Sequence, residues 1–172
     1  MRTNWWASAV LGIVLCGGSL SAEPVDQCRQ SSLPANITLP HDLDRVLQQL
    51  RDRSPTFRMQ CERLARATNL RVTVRLDTSM PSWCRAFTTV RRSGRQIRAD
   101  VHLPPGRALF ELVAHEFEHI IEQLEGLDLR ELARTRGSGV REVERELFET
   151  DRAHRAGRLV VEELYRAAPA AN

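Results

Sequence analysis

Apolar residues recur along this chain with two different periods, and each change of period marks a new element. From His41 onward, Leu43, Val46, Leu47 and Leu50 fall at helical spacing, with Asp42 as a start signal and Ser54-Pro55 as a stop. A second helical run over about residues 56–68 puts Phe57, Cys61, Leu64 and Ala65 on one face. The period then drops to two. Leu70, Val72, Val74 and Leu76 alternate with Arg71, Thr73, Arg75 and Asp77, the pattern of a strand with one buried face. Residues 86–92 predict a second strand and Ser93-Gly94 a turn. In a third strand, residues 95–103, Ile97, Ala99, Val101 and Leu103 share one face, and Arg98, Asp100 and His102 the other. Pro104-Pro105-Gly106 breaks the strand, and the helical period returns until Gly126, a C-cap. A short helical turn is expected around residues 129–134, then a long helix over residues 140–167 and a frayed tail, 168–172. Segregated strands and helices of this kind predict an α+β domain over residues 41–167, a small antiparallel sheet packed on helices.

The first 22 residues do not belong to that domain. Arg2, the apolar run from Ala7 to Leu15 and the small residues up to Ala22 read as a secretory signal peptide, cut after Ala22. Leu15 is too bulky for Cys16 to be a lipid-anchored cysteine. Residues 23–40, with three prolines, form an irregular lead-in. Export places Cys28, Cys61 and Cys84 in an oxidising compartment, where an odd number predicts one disulfide and one spare thiol. Cys61 and Cys84 are the expected pair, because Cys28 lies in the lead-in.

Charge changes little in this picture. All 25 basic residues are Arg, set against 22 acidic ones, and aromatics make up only 5% of the chain. That composition argues against a nucleic-acid partner, which needs a basic face and stacking rings. The cluster of Arg91, Arg92, Arg95 and Arg98 reads as a solvated hairpin tip.

The candidate chemistry lies in the helix before Gly126, which contains His115-Glu116-Phe117-Glu118-His119. Histidines four apart share a helix face with Cβ atoms roughly 5–6 Å apart. Two imidazoles so placed can hold one ion at about 2.0–2.1 Å each. Glu116 projects beside them, where a carboxylate can act as general base toward a water that the ion has acidified. On a wheel of about 100° per residue, Leu109, Phe110, Val113, Phe117, Ile120, Ile121 and Leu124 form a core side. His115, Glu116, His119 and Gln123 form a site side, and Arg107, Glu111, Glu118 and Glu122 a side expected to face water.

This His-Glu-x-x-His helix, entered from a small antiparallel sheet, resembles the zincin metallopeptidases; Glu118 is the departure, since an uncharged residue is commoner there. The resemblance implies a minimal zincin-like domain holding Zn²⁺ and an exported metallopeptidase that hydrolyses peptide or protein substrates. The alternative is a non-catalytic zincin-like domain that binds metal or a partner. It further implies that residues 97–103 are the edge strand on which an extended peptide pairs. A catalytic zinc needs a third protein ligand. No His follows in the metzincin continuation, so the resemblance points to the gluzincin arrangement, with a Glu from a later helix. On the wheel of residues 140–167, Glu142, Glu146 and Glu149 share the inward sector with Ala153, Gly157 and Val160, and Asp151 points away. Glu149 is the chosen ligand and Glu146, one turn earlier, the alternative. The segment 148–153 loosely resembles the second gluzincin motif but has Ala153 where an acidic residue is usual. His154, near the same face, is a candidate for steadying an oxyanion.

Overall fold

The structure is a computed structural model that describes residues 33–81, 84–106 and 108–166. All the described residues lie in one compact unit. The proposed signal peptide, with Cys16, and Cys28 lie outside the described residues.

A two-residue strand, β1 (Ile37–Thr38), precedes two helices, α1 (His41–Arg53) and α2 (Pro55–Arg66). Three strands follow, β2 (Leu70–Leu76), β3 (Phe87–Ser93) and β4 (Gln96–Leu103), and then the long helix α3 (Leu109–Leu124). After α4 (Leu129–Arg134) comes a hairpin, β5 (Val140–Glu144) and β6 (Leu147–Thr150), and a last helix, α5 (Asp151–Arg166). The α+β class expected from the pattern is the one observed.

Two features of the sheet differ from expectation. Its order is β1-β2-β4-β3 and it is mixed, with β3 antiparallel to β4 and β2 parallel to β4. In consequence β4 is an interior strand and β3 is the edge. The four apolar residues of β4 that alternate along it, Ile97, Ala99, Val101 and Leu103, are all buried, as suits a strand paired on both sides. Residues 37–38, placed in the irregular lead-in, form the opposite edge.

One apolar core joins Leu43, Leu47 and Leu50 of α1 to Val72 and Val74 of β2, Val101 of β4, and Phe117 and Ile120 of α3. Each such side chain taken wholly out of water contributes about 1.5–3 kcal/mol. Phe57 of α2 stacks on Phe117 with ring centroids 5.4 Å apart. Ser54 caps α2 by accepting from the Phe57 amide. Its hydroxyl in turn donates to Glu163 of α5, whose other oxygen accepts from Thr56 Oγ1 at 2.7 Å.

The long helix expected over residues 140–167 is corrected to the β5–β6 hairpin plus α5. Glu146 has φ 63° at the hairpin turn, which no helix can accommodate. Thr150 supplies the true start signal, its hydroxyl accepting from the Ala153 amide at 2.9 Å. The small residues of α5 do what their size predicts. A Cβ on Gly157 would stand 2.9 Å from the backbone oxygen of Glu111, so α5 lies directly on α3.

That close contact overturns the expected wet side of α3. Glu118 and Glu122 are 7% and 1% exposed. Arg152 Nε donates to Glu118 Oε1 at 2.6 Å, and Gln60 Nε2 to Glu118 Oε2 at 2.7 Å. A wheel shows which residues share a face, but not that a later helix brings polar partners to it. The expected disulfide is also absent: Cys61 and Cys84 are free thiols. Cys61 is buried in the core, its thiol pushed up to about 12 by that burial, while Cys84 faces a cleft beside the motif helix.

Candidate metal centre

Four side chains converge where α3, β6 and α5 meet. Helical spacing puts His115 and His119 of α3 on one face, their Nε2 atoms 3.1 Å apart and their rings edge to face. Glu149, near the end of β6, brings Oε2 to 3.2 Å from His115 Nε2. His154, in the first turn of α5, brings its Nε2 to 3.1 Å from the same oxygen. Among the described residues, His115, Glu149 and His154 form a group that can hold a metal ion, with donor atoms all within 4.8 Å of one another.

The donors fit such an ion. Atoms held about 2.0–2.2 Å from one ion in a tetrahedron stand roughly 3.3–3.6 Å apart, close to the 3.1 Å between His119 and His115, the 3.2 Å between His115 and Glu149 and the 3.1 Å between His154 and Glu149. Glu149 Oε2 is buried and accepts no aligned hydrogen bond, although two imidazole nitrogens lie at ion-pair distance. A buried carboxylate oxygen without a hydrogen bond is costly, and a cation relieves that cost. Nitrogen and carboxylate donors suit zinc and several other transition ions, so the donor set alone does not select the metal.

The electrostatics agree with the crowding. Burial pushes the Glu149 carboxyl up, but the neighbouring imidazoles of His115, His119 and His154 hold it below its usual value. Burial favours a neutral His119, but its bond to Glu122 and the charges of Glu116, Glu122 and Glu149 outweigh this and raise its pKa. His154 is lowered by burial and by the charges of His115, Arg141 and Arg158, against the pull of Glu149.

Glu116 is 2% exposed, and burial raises its pKa. Thr88 of β3 donates to its Oε2 at 2.7 Å, which fixes the side chain beside the imidazoles. A cleft of about 420 Å³ opens here, lined by Thr88 and Val90 of β3, Glu116 and His119 of α3, and Leu147 and Glu149 of β6. A second, of about 520 Å³, is lined by Cys84, His115, Glu149 and His154.

The structure therefore brings together His115, Glu116, His119 and Glu149, although Glu149 comes from a strand and not from a helix. Glu146 is not with them. It is exposed at the hairpin turn, with Oε1 2.6 Å from Arg130 Nη2. The wheel of residues 140–167 had turned Glu142 inward as well, and it too is exposed on β5.

Thr88, Glu122 and Thr150 were missed, and His154 was expected to meet an oxyanion and not to join a metal-binding group. Glu122 Oε2 lies 2.9 Å from His119 Nδ1, and its Oε1 accepts from Thr150 Oγ1 at 2.7 Å. Its position one turn after His119 was a usable signal, since a ligating imidazole regularly donates its second nitrogen to a carboxylate. No family model, curated protein or solved structure matches this chain.

Proposed function

We propose that this protein is an exported zinc-dependent metallopeptidase in which His115, His119 and Glu149 hold the ion and Glu116 is the general base. One observation carries the reading. Nε2 of His119, Nε2 of His115 and Oε2 of Glu149 stand in successive contact at 3.1 and 3.2 Å, and the Glu149 oxygen has no aligned hydrogen bond. Zinc bound there would polarise a peptide carbonyl and lower the pKa of water to roughly 7. Glu116, held by Thr88 and with its pKa raised by burial, then takes the proton of the attacking water and delivers it to the departing amine. The edge of β3, unpaired among the described residues, borders the cleft through Phe87 to Val90, where main-chain hydrogen bonds align an extended peptide. His154, whose Nε2 lies 3.1 Å from Glu149 Oε2, donates in this reading to the oxyanion that forms on the carbonyl. The resemblance to zincins supports the assignment through the motif helix and the strands that precede it, and export rests on the pattern of residues 1–22.

A second reading, a non-catalytic metal site, draws on the same His154. As a fourth protein ligand it would leave no open position, and a closed site is structural. Glu116→Gln separates the two. On the catalytic reading the variant keeps zinc and the fold, measured by metal analysis and circular dichroism, while hydrolysis of a mixed peptide substrate falls on the order of 10²–10⁴-fold. Turnover that survives the change removes Glu116 as base. A parent protein that holds zinc but cleaves nothing, with or without added metal, favours the closed site.

A further inference from the structure

We infer that Glu122 is a positioning residue that sets two of the proposed ligands at once, His119 directly and Glu149 through Thr150. The inference rests on the metal-site reading above and adds to it a residue that no part of the His-Glu-x-x-His pattern supplies.

Glu122 is 1% exposed, so its carboxylate is wholly out of water. Such a group is tolerated only where both oxygens are bonded, and here they are bonded in opposite directions. Oε2 faces His119 Nδ1 at 2.9 Å. With a carboxylate at that nitrogen the imidazole carries its proton on Nδ1 and leaves the Nε2 lone pair free, and Nε2 is the atom that faces His115. Oε1 accepts from Thr150 Oγ1 at 2.7 Å. The same hydroxyl oxygen caps α5 by accepting from the Ala153 amide, and Thr150 directly follows Glu149 in the chain.

One rigid carboxylate thus ties α3 to the junction of β6 and α5, the place from which both Glu149 and His154 project. Ala153 cannot perform this task, having no polar side chain. The acceptor comes instead from the motif helix itself, one turn beyond His119, so the functional unit is the eight residues from His115 to Glu122.

The test compares Glu122→Met, which keeps the volume but removes the acceptor, with Glu122→Gln, which keeps an acceptor without the charge. Nitrogen-15 NMR of the metal-free protein, at alkaline pH where the imidazole is neutral, reports the His119 tautomer; competition with a chelator reports zinc affinity. The parent is expected to show the Nδ1–H tautomer. Glu122→Met should lose it and bind zinc 10–100-fold more weakly. Glu122→Gln should keep the tautomer with a smaller loss. A folded Glu122→Met that retains both the tautomer and the parental affinity overturns the inference. Should that variant fail to fold, Thr150→Val against Thr150→Ser decides: the valine, lacking the hydroxyl, must weaken zinc binding and the serine must not. Parental affinity in a folded Thr150→Val overturns the link to Glu149. If the parent itself binds no zinc, the metallopeptidase reading falls, while the tautomer comparison still decides what Glu122 does.

Discussion

At the scale of single residues, three carboxylates within six positions have sharply different surroundings. Glu149 Oε2 is buried against two imidazoles, Glu146 is exposed and paired with Arg130, and Asp151 is exposed at the start of α5. Glu149→Ala is expected to weaken zinc binding at least about 10-fold, because two histidines seldom hold such an ion without a third protein ligand. Glu146→Ala and Asp151→Ala should bind as the parent does when measured by chelator competition. An equal loss in all three would mean that general charge, and not coordination, governs the affinity. That His115 and His119 share a face was legible in the sequence, because their relation rests on helix geometry alone, whereas His154 joining Glu149 was not. The surroundings of the glutamates beside them were not. Glu118 and Glu122 look like ordinary wet-face glutamates until Arg152 and Thr150 arrive from elsewhere in the chain.

Among the elements, the contact of α3 with α5 decides whether the site closes. Gly157→Ala is the sharpest probe of it. In an isolated helix that change would stabilise by about 1 kcal/mol. Here the new Cβ meets the Glu111 backbone oxygen at 2.9 Å, and a helix backbone cannot move aside locally. Overpacking of this sort costs typically 1–3 kcal/mol, so the net effect should be a loss, read as a lower urea midpoint for the metal-free protein. A higher midpoint would mean that the helices part more easily than their packing implies. Periodicity foretold α1, α2, β2 and β4 because each sets a buried face against a wetter one. It failed over residues 140–150 for the opposite reason. β5 is exposed on both faces after Val140, so no alternation is written into it, and its run of Glu and Arg has the composition of a helix. Thr150 followed by Asp151 was the one local signal of a helix start there.

For the molecule as a whole, the site draws on β3, α3, β6 and α5, and the core behind it is common to the sheet and the first two helices. Glu163 ties the last helix to the beginning of α2, across 109 residues of sequence, so the elements flanking the site are anchored at both ends of the domain. Strand order was not legible, since adjacency in the chain favours β2 beside β3 and the observed sheet inserts β4 between them. That insertion has a consequence for how the protein behaves in company. An unpaired strand edge is a template on which a second chain can assemble, and β3 has one among the described residues. Its first half, Phe87 to Val90, is recessed in the cleft, while its second half, out in solvent, carries Arg91 and Arg92. Like charges there are expected to repel a second copy of the same edge. Exchanging both arginines for threonine should yield larger species in sedimentation at concentrations where the parent does not change; identical profiles would show that the cleft walls alone are guard enough.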